Sequence, residues 1–199
     1  MGPRLRTSRA AQRLSAGLTP LAVLGCAAVL FLSDWGYQHG GGTSLPAAAV
    51  LDETAHVLTA LLLLQGLSAR LRARFALPAL FASVAIDLDH VPQDLGYHFL
   101  TVGTPRPYTH SLLTIAVLLA LAVALRRRRD LLLGLALGLV LHFFRDLAEG
   151  NGSGVALLWP LTDRGYSYPH ATYLAVMACV VAADVTLGLL SRRARAATS

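Results

Sequence analysis

Three short stretches of this chain set a carboxylate and a histidine at helical spacing. Glu53-Thr-Ala-His56 and Asp87-Leu-Asp-His90 place the acid three residues before the imidazole, and His142-Phe-Phe-Arg-Asp146 places it four residues after. Residues three or four apart share one face of a helix, so each stretch would present nitrogen and oxygen ligand atoms together. Glu149 continues the face of His142 and Asp146, and a further histidine, His110, lies within Thr109-His110-Ser111. Imidazole with carboxylate suits zinc and related divalent cations. His56, Asp87, His90, His110, His142 and Asp146 are therefore read as one shared metal site. More than four ligands favours two ions over one. Asp89 and Glu149 are the carboxylates placed to act as general base, and Arg106 is the guanidinium placed to hold a phosphate. His39, His98 and His170 are read as interfacial or capping histidines, Asp52 as a charge favourable near a helix N-terminus, and Arg145 as a cation answering the local carboxylates.

The elements carrying these residues are unusually apolar. Of 199 residues, 55% are hydrophobic and 14% charged, with a mean hydropathy of +0.56; a soluble domain would carry about a quarter charged residues. Six apolar segments approach the ~20 residues a membrane-spanning helix needs: Leu18–Trp35, Ala47–Ala69, Phe75–Val91, Tyr108–Leu125, Leu131–Leu147 and Ala171–Leu190. The expected fold is thus all-α, a polytopic membrane helix bundle of about six spans. The first segment follows Arg4, Arg6, Arg9 and Arg13, but no small-residue cleavage site lies near enough, so it is read as an uncleaved anchor.

All 17 basic residues are arginine. They cluster before span 1, after span 2 (Arg70, Arg72, Arg74), after span 4 (Arg126 to Arg129) and after span 6 (Arg192, Arg193, Arg195), all on one side of a six-span chain; Arg106, Arg145 and Arg164 fall on the other. The positive-inside rule then makes both termini cytoplasmic. This clustering explains the net charge of +6 without a nucleic-acid partner. With that orientation every histidine falls at the outer end of a span or in an outer loop, as do Asp52, Glu53, Asp87, Asp89, Asp94, Asp146, Glu149 and Asp163. Asp130 caps span 5 beside arginines, while Asp184 sits in the inner half of span 6 with no evident reason to be there. The expected organisation is a basic segment 1–17, one membrane domain 18–190 with its metal core in 52–160, and a basic tail 191–199. Cys26 and Cys179 lie in distant apolar runs and form neither a disulfide framework nor a metal knuckle.

Ala85-Ile-Asp-Leu-Asp-His90, Arg106-Pro-Tyr-Thr-His-Ser111, His142-x-x-x-Asp146 and Leu157-Leu-Trp-Pro160 resemble, in order, the blocks of the YdjM-like family of inner-membrane metal-dependent hydrolases, distantly grouped with zinc phospholipase C and the P1-type single-strand nucleases. The resemblance covers roughly His56 to Pro160. Ile86 stands where the family usually has Pro, Pro105-Arg106-Pro107 where it often has His-Arg-Gly, and Glu149 where Thr is common. The first span resembles an addition ahead of the family's usual start. The resemblance implies hydrolysis and a cell-membrane location without naming the substrate.

The expectation is a membrane-bound hydrolase holding one or two divalent ions, zinc foremost, at the outer membrane face. Its substrate would be a phosphoester or lipid-linked compound, its immediate partner the bilayer. A di-iron oxidase would share the carboxylate-x-x-His pattern, and a non-catalytic membrane scaffold would need no metal. A transporter fits less well, since its site should lie near the midplane. No His-Glu-x-x-His zincin motif occurs. Gly150-Asn-Gly-Ser-Gly154 lacks the spacing of a nucleophile elbow, so its glycines suit a tight turn after span 5 or a backbone approach to a ligand.

Overall fold

The computed structural model describes residues 17–40, 44–148 and 154–197. Within them the chain is helical: α1 Pro20–His39, α2 Leu45–Gln65, α3 Ala69–Ala85, a 3-10 segment Ile86–His90 leading into the four-residue α4 Val91–Asp94, α5 Leu112–Ala124, and, after a 3-10 turn Arg126–Arg128, α6 Arg129–Asp146 and α7 His170–Ala196. The first and third helices begin where the sequence supplies caps. Thr19 accepts from Ala22 N with Pro20 at the first turn, and Ser68 accepts from Leu71 N. The only extended pairing among the described residues is an isolated antiparallel bridge between Val155 and Tyr166.

Three helices are long and apolar enough to cross a membrane: α1, α2 and α7 over His170–Ala194. The expected fourth span is shorter than its sequence suggested, because Ser111 ends the preceding loop and Leu125 ends α5. Its 13 residues extend about 20 Å, less than the ~30 Å hydrocarbon core. The expected third span breaks at Ala85, where the chain tightens into the 3-10 segment. The sixth runs on through the basic tail to Ala196, since arginine and alanine favour the helix even outside an apolar run. Leu21, Leu32, Phe81 and Val123 are exposed, as expected of surfaces that meet lipid rather than water.

α1 packs on α2 and α7, α3 on α2 and α6, and α5 on α6. One core joins Val23, Leu30, Leu62, Tyr173 and Met177 from α1, α2 and α7, and another joins Ala82, Ile115, Leu139 and Phe143 from α3, α5 and α6. The α3–α6 contact is the closest. A Cβ on Gly138 would lie 2.3 Å from the Ala79 carbonyl oxygen, and one on Gly134 would lie 2.4 Å from Pro78 Cγ. Glycine at these two positions lets the backbones touch, as small-xxx-small stripes do between membrane helices. Pro78, inside α3, sets its ring into the space left by Gly134. At one end of the bundle Arg74 pairs with Asp130, tying the start of α3 to the start of α6. This guanidinium holds the Asp130 carboxyl below its ordinary range.

Candidate metal centre

The polar residues gather at the opposite end of the bundle. His56 on α2, His142 and Asp146 on α6 form one group of buried ligand atoms; Asp87 and His90 on the 3-10 segment with His110 from the following loop form a second. The two groups interlock. Asp87 Oδ1 is 3.2 Å from His110 Nε2 and 3.5 Å from His142 Nε2, while Asp146 Oδ2 is 3.1 Å from His142 Nε2 and 3.6 Å from His110 Nε2. His110 and His142 approach through their Nε2 atoms at 3.2 Å, and the His56 and His142 rings stack at 4.0 Å.

Local geometry explains these positions. His142 and Asp146 are one α-helical turn apart. Asp87 and His90 are one turn apart in a 3-10 helix, where residues i and i+3 eclipse, and His90 Nδ1 lies 3.4 Å from Asp87 Oδ1. The close α3–α6 contact sets His142 Nδ1 at 3.0 Å from the Ser83 carbonyl oxygen. Nδ1 donates there, which leaves the Nε2 lone pair facing the cluster. His110 is held similarly. Its Nδ1 lies 3.3 Å from Asp89 Oδ2, and Thr109 Oγ1 donates to the same carboxylate. Asp89 also stands 3.2 Å from His90 Nδ1, so it contacts the imidazoles from outside the cluster.

The remaining lone pairs are the informative ones. Among the described residues, both Asp146 oxygens, Asp87 Oδ2 and Asp89 Oδ1 are buried without a hydrogen-bond partner, although imidazoles surround them. Buried carboxylate oxygens are ordinarily hydrogen-bonded, since leaving them bare costs several kcal/mol. Oxygens and nitrogens that crowd together without aligned bonds are placed as a cation's ligand shell would place them. These residues could therefore hold a divalent ion, and Asp87 and Asp146 each face imidazoles of both groups.

Arg106 reaches Asp146 Oδ2 at 3.4 Å and lines a cavity of about 200 Å³ with Tyr37, Asp52, Glu53, Asp87 and His90. This is the mouth of the cluster. The expected Glu53–His56 partnership gives way to a different one: Asp52, one helical turn before His56, stands 3.7 Å from its Nε2, while Glu53 turns to the mouth. Asp52 is thus more than a charge near a helix N-terminus, because it also accepts from Arg145. Glu149 lies outside the described residues, as do Gly150 to Ser153. Gly154 is described: its φ is +78° and a Cβ added there would lie 2.5 Å from Tyr166 O, so this glycine lets the backbone approach the chain's own Tyr166 rather than a ligand. The Leu157–Pro160 block ties the loop to α5 through Leu112 N to Leu157 O at 2.8 Å. Tyr168 donates to Phe144 O, with its hydroxyl pushed above the ordinary phenol range by burial.

Sequence reasoning missed Asp34. This residue of α1 is buried and stands 3.5 Å from Arg145 Nη2 and 3.0 Å from His170 Nε2. Arg145, itself fully buried, also lies 2.9 Å from His56 Nε2. His170 is therefore a partner of Asp34 rather than a plain interfacial histidine. His39, stacked on Trp35 with Nδ1 2.9 Å from its carbonyl oxygen, and exposed His98 remain outside the cluster. The signal available for Asp34 was its acid charge inside an apolar run, which is costly unless answered.

No curated protein and no solved structure matches the chain. The family model described as "YdjM inner membrane protein" matches residues 51–198, which covers α3 to α7 and most of α2 and leaves α1 outside. The chain accordingly belongs to the YdjM inner membrane protein family, and it is an inner-membrane protein.

Proposed function

We propose that this protein is a membrane-bound, metal-dependent hydrolase whose metal centre opens at the extracytoplasmic face and acts on a phosphoester or lipid-linked substrate. The observation that carries the reading is the interlocked set His56, Asp87, His90, His110, His142 and Asp146, with buried carboxylate oxygens that no hydrogen bond from the described residues satisfies. These residues would hold a divalent ion, with zinc the best match to nitrogen and oxygen ligands, which would supply Lewis-acid polarisation of a phosphoryl oxygen and a water nucleophile at neutral pH.

The chain's own residues divide the remaining work. Arg106, at the mouth, binds a non-reacting phosphate oxygen through its guanidinium. Asp89 orients His110 and His90, a task that fits its contacts better than free proton transfer does. Glu53 faces the mouth with a buried Oε2 that has no hydrogen-bond partner among the described residues, and it joins Glu149 as a carboxylate suited to accept a proton from water. The site end lies opposite the described arginines around Arg72, Arg127 and Arg192, which supports, by the positive-inside rule, a site facing away from the cytoplasm. At that depth the mouth would meet phosphate groups carried by lipids.

Elemental analysis of the detergent-purified protein beside a His142→Ala/Asp146→Ala double variant tests the reading. One or two zinc ions per chain in the parent, lost in the variant, is the expected result and would justify assaying phosphoester and lipid-headgroup hydrolysis. Iron with oxygen-dependent turnover would move the assignment to a di-iron oxidase. No bound metal after reconstitution with excess zinc or iron would remove the hydrolase reading.

A further inference from the structure

Asp184 has no role in the metal centre. It lies on α7 near the arginine end, in a stretch where a carboxylate is costly to hold, and its Oδ2 is buried without a hydrogen-bond partner among the described residues. It faces a cavity of about 280 Å³ where the start of α1, the end of α2, the start of α3 and the end of α7 meet, lined also by Thr19, Gln65, Arg72, Ser191 and Arg192. That space is several times the ~30 Å³ share of one water molecule. Two guanidinium groups and one carboxylate therefore border a polar recess at the end of a membrane bundle. Arg72 is held in place there by Nη1 donation to the carbonyls of Gln65, at 2.7 Å, and Leu67. Gln65 Oε1 in turn accepts from Leu18 N at 2.9 Å, which seats the start of α1 on the end of α2.

A ligand matching this lining carries an anion and a hydrogen-bonding cation a few bonds apart. Guanidinium groups select phosphate, and an ammonium would give the Asp184 oxygen the donor it lacks. We propose that this recess binds the phosphoethanolamine headgroup of a membrane lipid, with its phosphate on Arg72 and Arg192 and its ammonium on Asp184. The site is separate from the metal centre and stands whether or not the hydrolase reading does. Its position at the arginine end makes the lipid one of the leaflet opposite the metal mouth.

Native mass spectrometry of the full chain in detergent, titrated with phosphatidylethanolamine, phosphatidylglycerol or phosphatidylcholine, tests the assignment. Phosphatidylethanolamine is expected to bind roughly fivefold better than the other two, the scale of one partly exposed ion pair. Phosphatidylglycerol lacks the ammonium, and phosphatidylcholine has no N–H to donate. Asp184→Asn should equalise phosphatidylethanolamine and phosphatidylglycerol while metal content stays at the parent level, and Arg192→Gln should weaken all three lipids. Equal binding of the three lipids by the parent, or an unchanged preference in Asp184→Asn, would overturn the proposal. Soluble phosphoethanolamine stabilising the protein as well as the lipid does would reassign the recess to a free solute and overturn the lipid assignment.

Discussion

Arg145 joins residues that the sequence keeps far apart. It touches Asp34 from α1 and Asp52 and His56 from α2, and a buried guanidinium needs such partners because its charge has lost its water. Truncating Asp34 to Ala should destabilise the protein by about 3 kcal/mol, the scale of breaking one side of a buried pair. Asp34→Asn, which keeps one oxygen for His170, should cost less; chemical unfolding of both variants in detergent reads the difference. Parent-like stability for Asp34→Ala would leave Asp52 as the only carboxylate Arg145 requires. Five of the six residues of the candidate metal centre were legible as a group in sequence because each lies three or four positions from an acid or histidine partner, and a helix turns that spacing into contact; His110 has no such neighbour and was read from its place at the opening of a span. Asp34 was not, because its partners Arg145 and His170 come from other helices and no local spacing announces them. The choice of Asp52 over Glu53 beside His56 was equally hidden. Both acids precede the histidine by about one turn, and only the position of Arg145 decides between them.

Helix α6 supplies His142, Arg145 and Asp146, so its distance from α3 sets the depth of the whole cluster. Gly138 makes that distance possible. Gly138→Ala should cost about 1–3 kcal/mol, as overpacking does, because the new methyl group would meet the Ala79 carbonyl. Gly25 on α1, with nothing within 4 Å of a virtual Cβ, is the control: Gly25→Ala should be neutral or stabilising by up to about 1 kcal/mol. Thermal unfolding of the pair, with the Gly138 variant also assayed for metal, separates close packing from helix propensity. A Gly138→Ala protein that melts like the parent would mean the two helices part without penalty. The hydropathy pattern revealed six helices, yet the bounds of α3 and α5 differ from the apolar runs. Asp87 to His90 coil more tightly than an α-helix, and Ser111 delays the start of α5; hydropathy averages across both features.

For the whole molecule, the described arginines around Arg72, Arg127 and Arg192 lie at the end of the bundle opposite the candidate metal centre, and the proposed orientation follows from that separation by the positive-inside rule. In a Cys26→Ala/Cys179→Ala background, a membrane-impermeant maleimide should label Thr104→Cys from outside intact cells and reach Arg127→Cys only after lysis. Labelling in the reverse pattern would turn the metal mouth towards the cytoplasm. Composition made the membrane and the family's location readable, while the recess around Asp184 depended on four chain segments meeting and was invisible in any one of them. The Asp34–Arg145 contact also orders events in time. The two residues are separated by 111 positions, so at ~5–20 residues per second of synthesis Asp34 emerges roughly ten seconds before its partner exists. Through that interval Asp34 lacks the Arg145 guanidinium, and for longer still the His170 imidazole, that flank it in the fold. The first helix made is therefore among the last to gain all its partners, once α6 and α7 have followed.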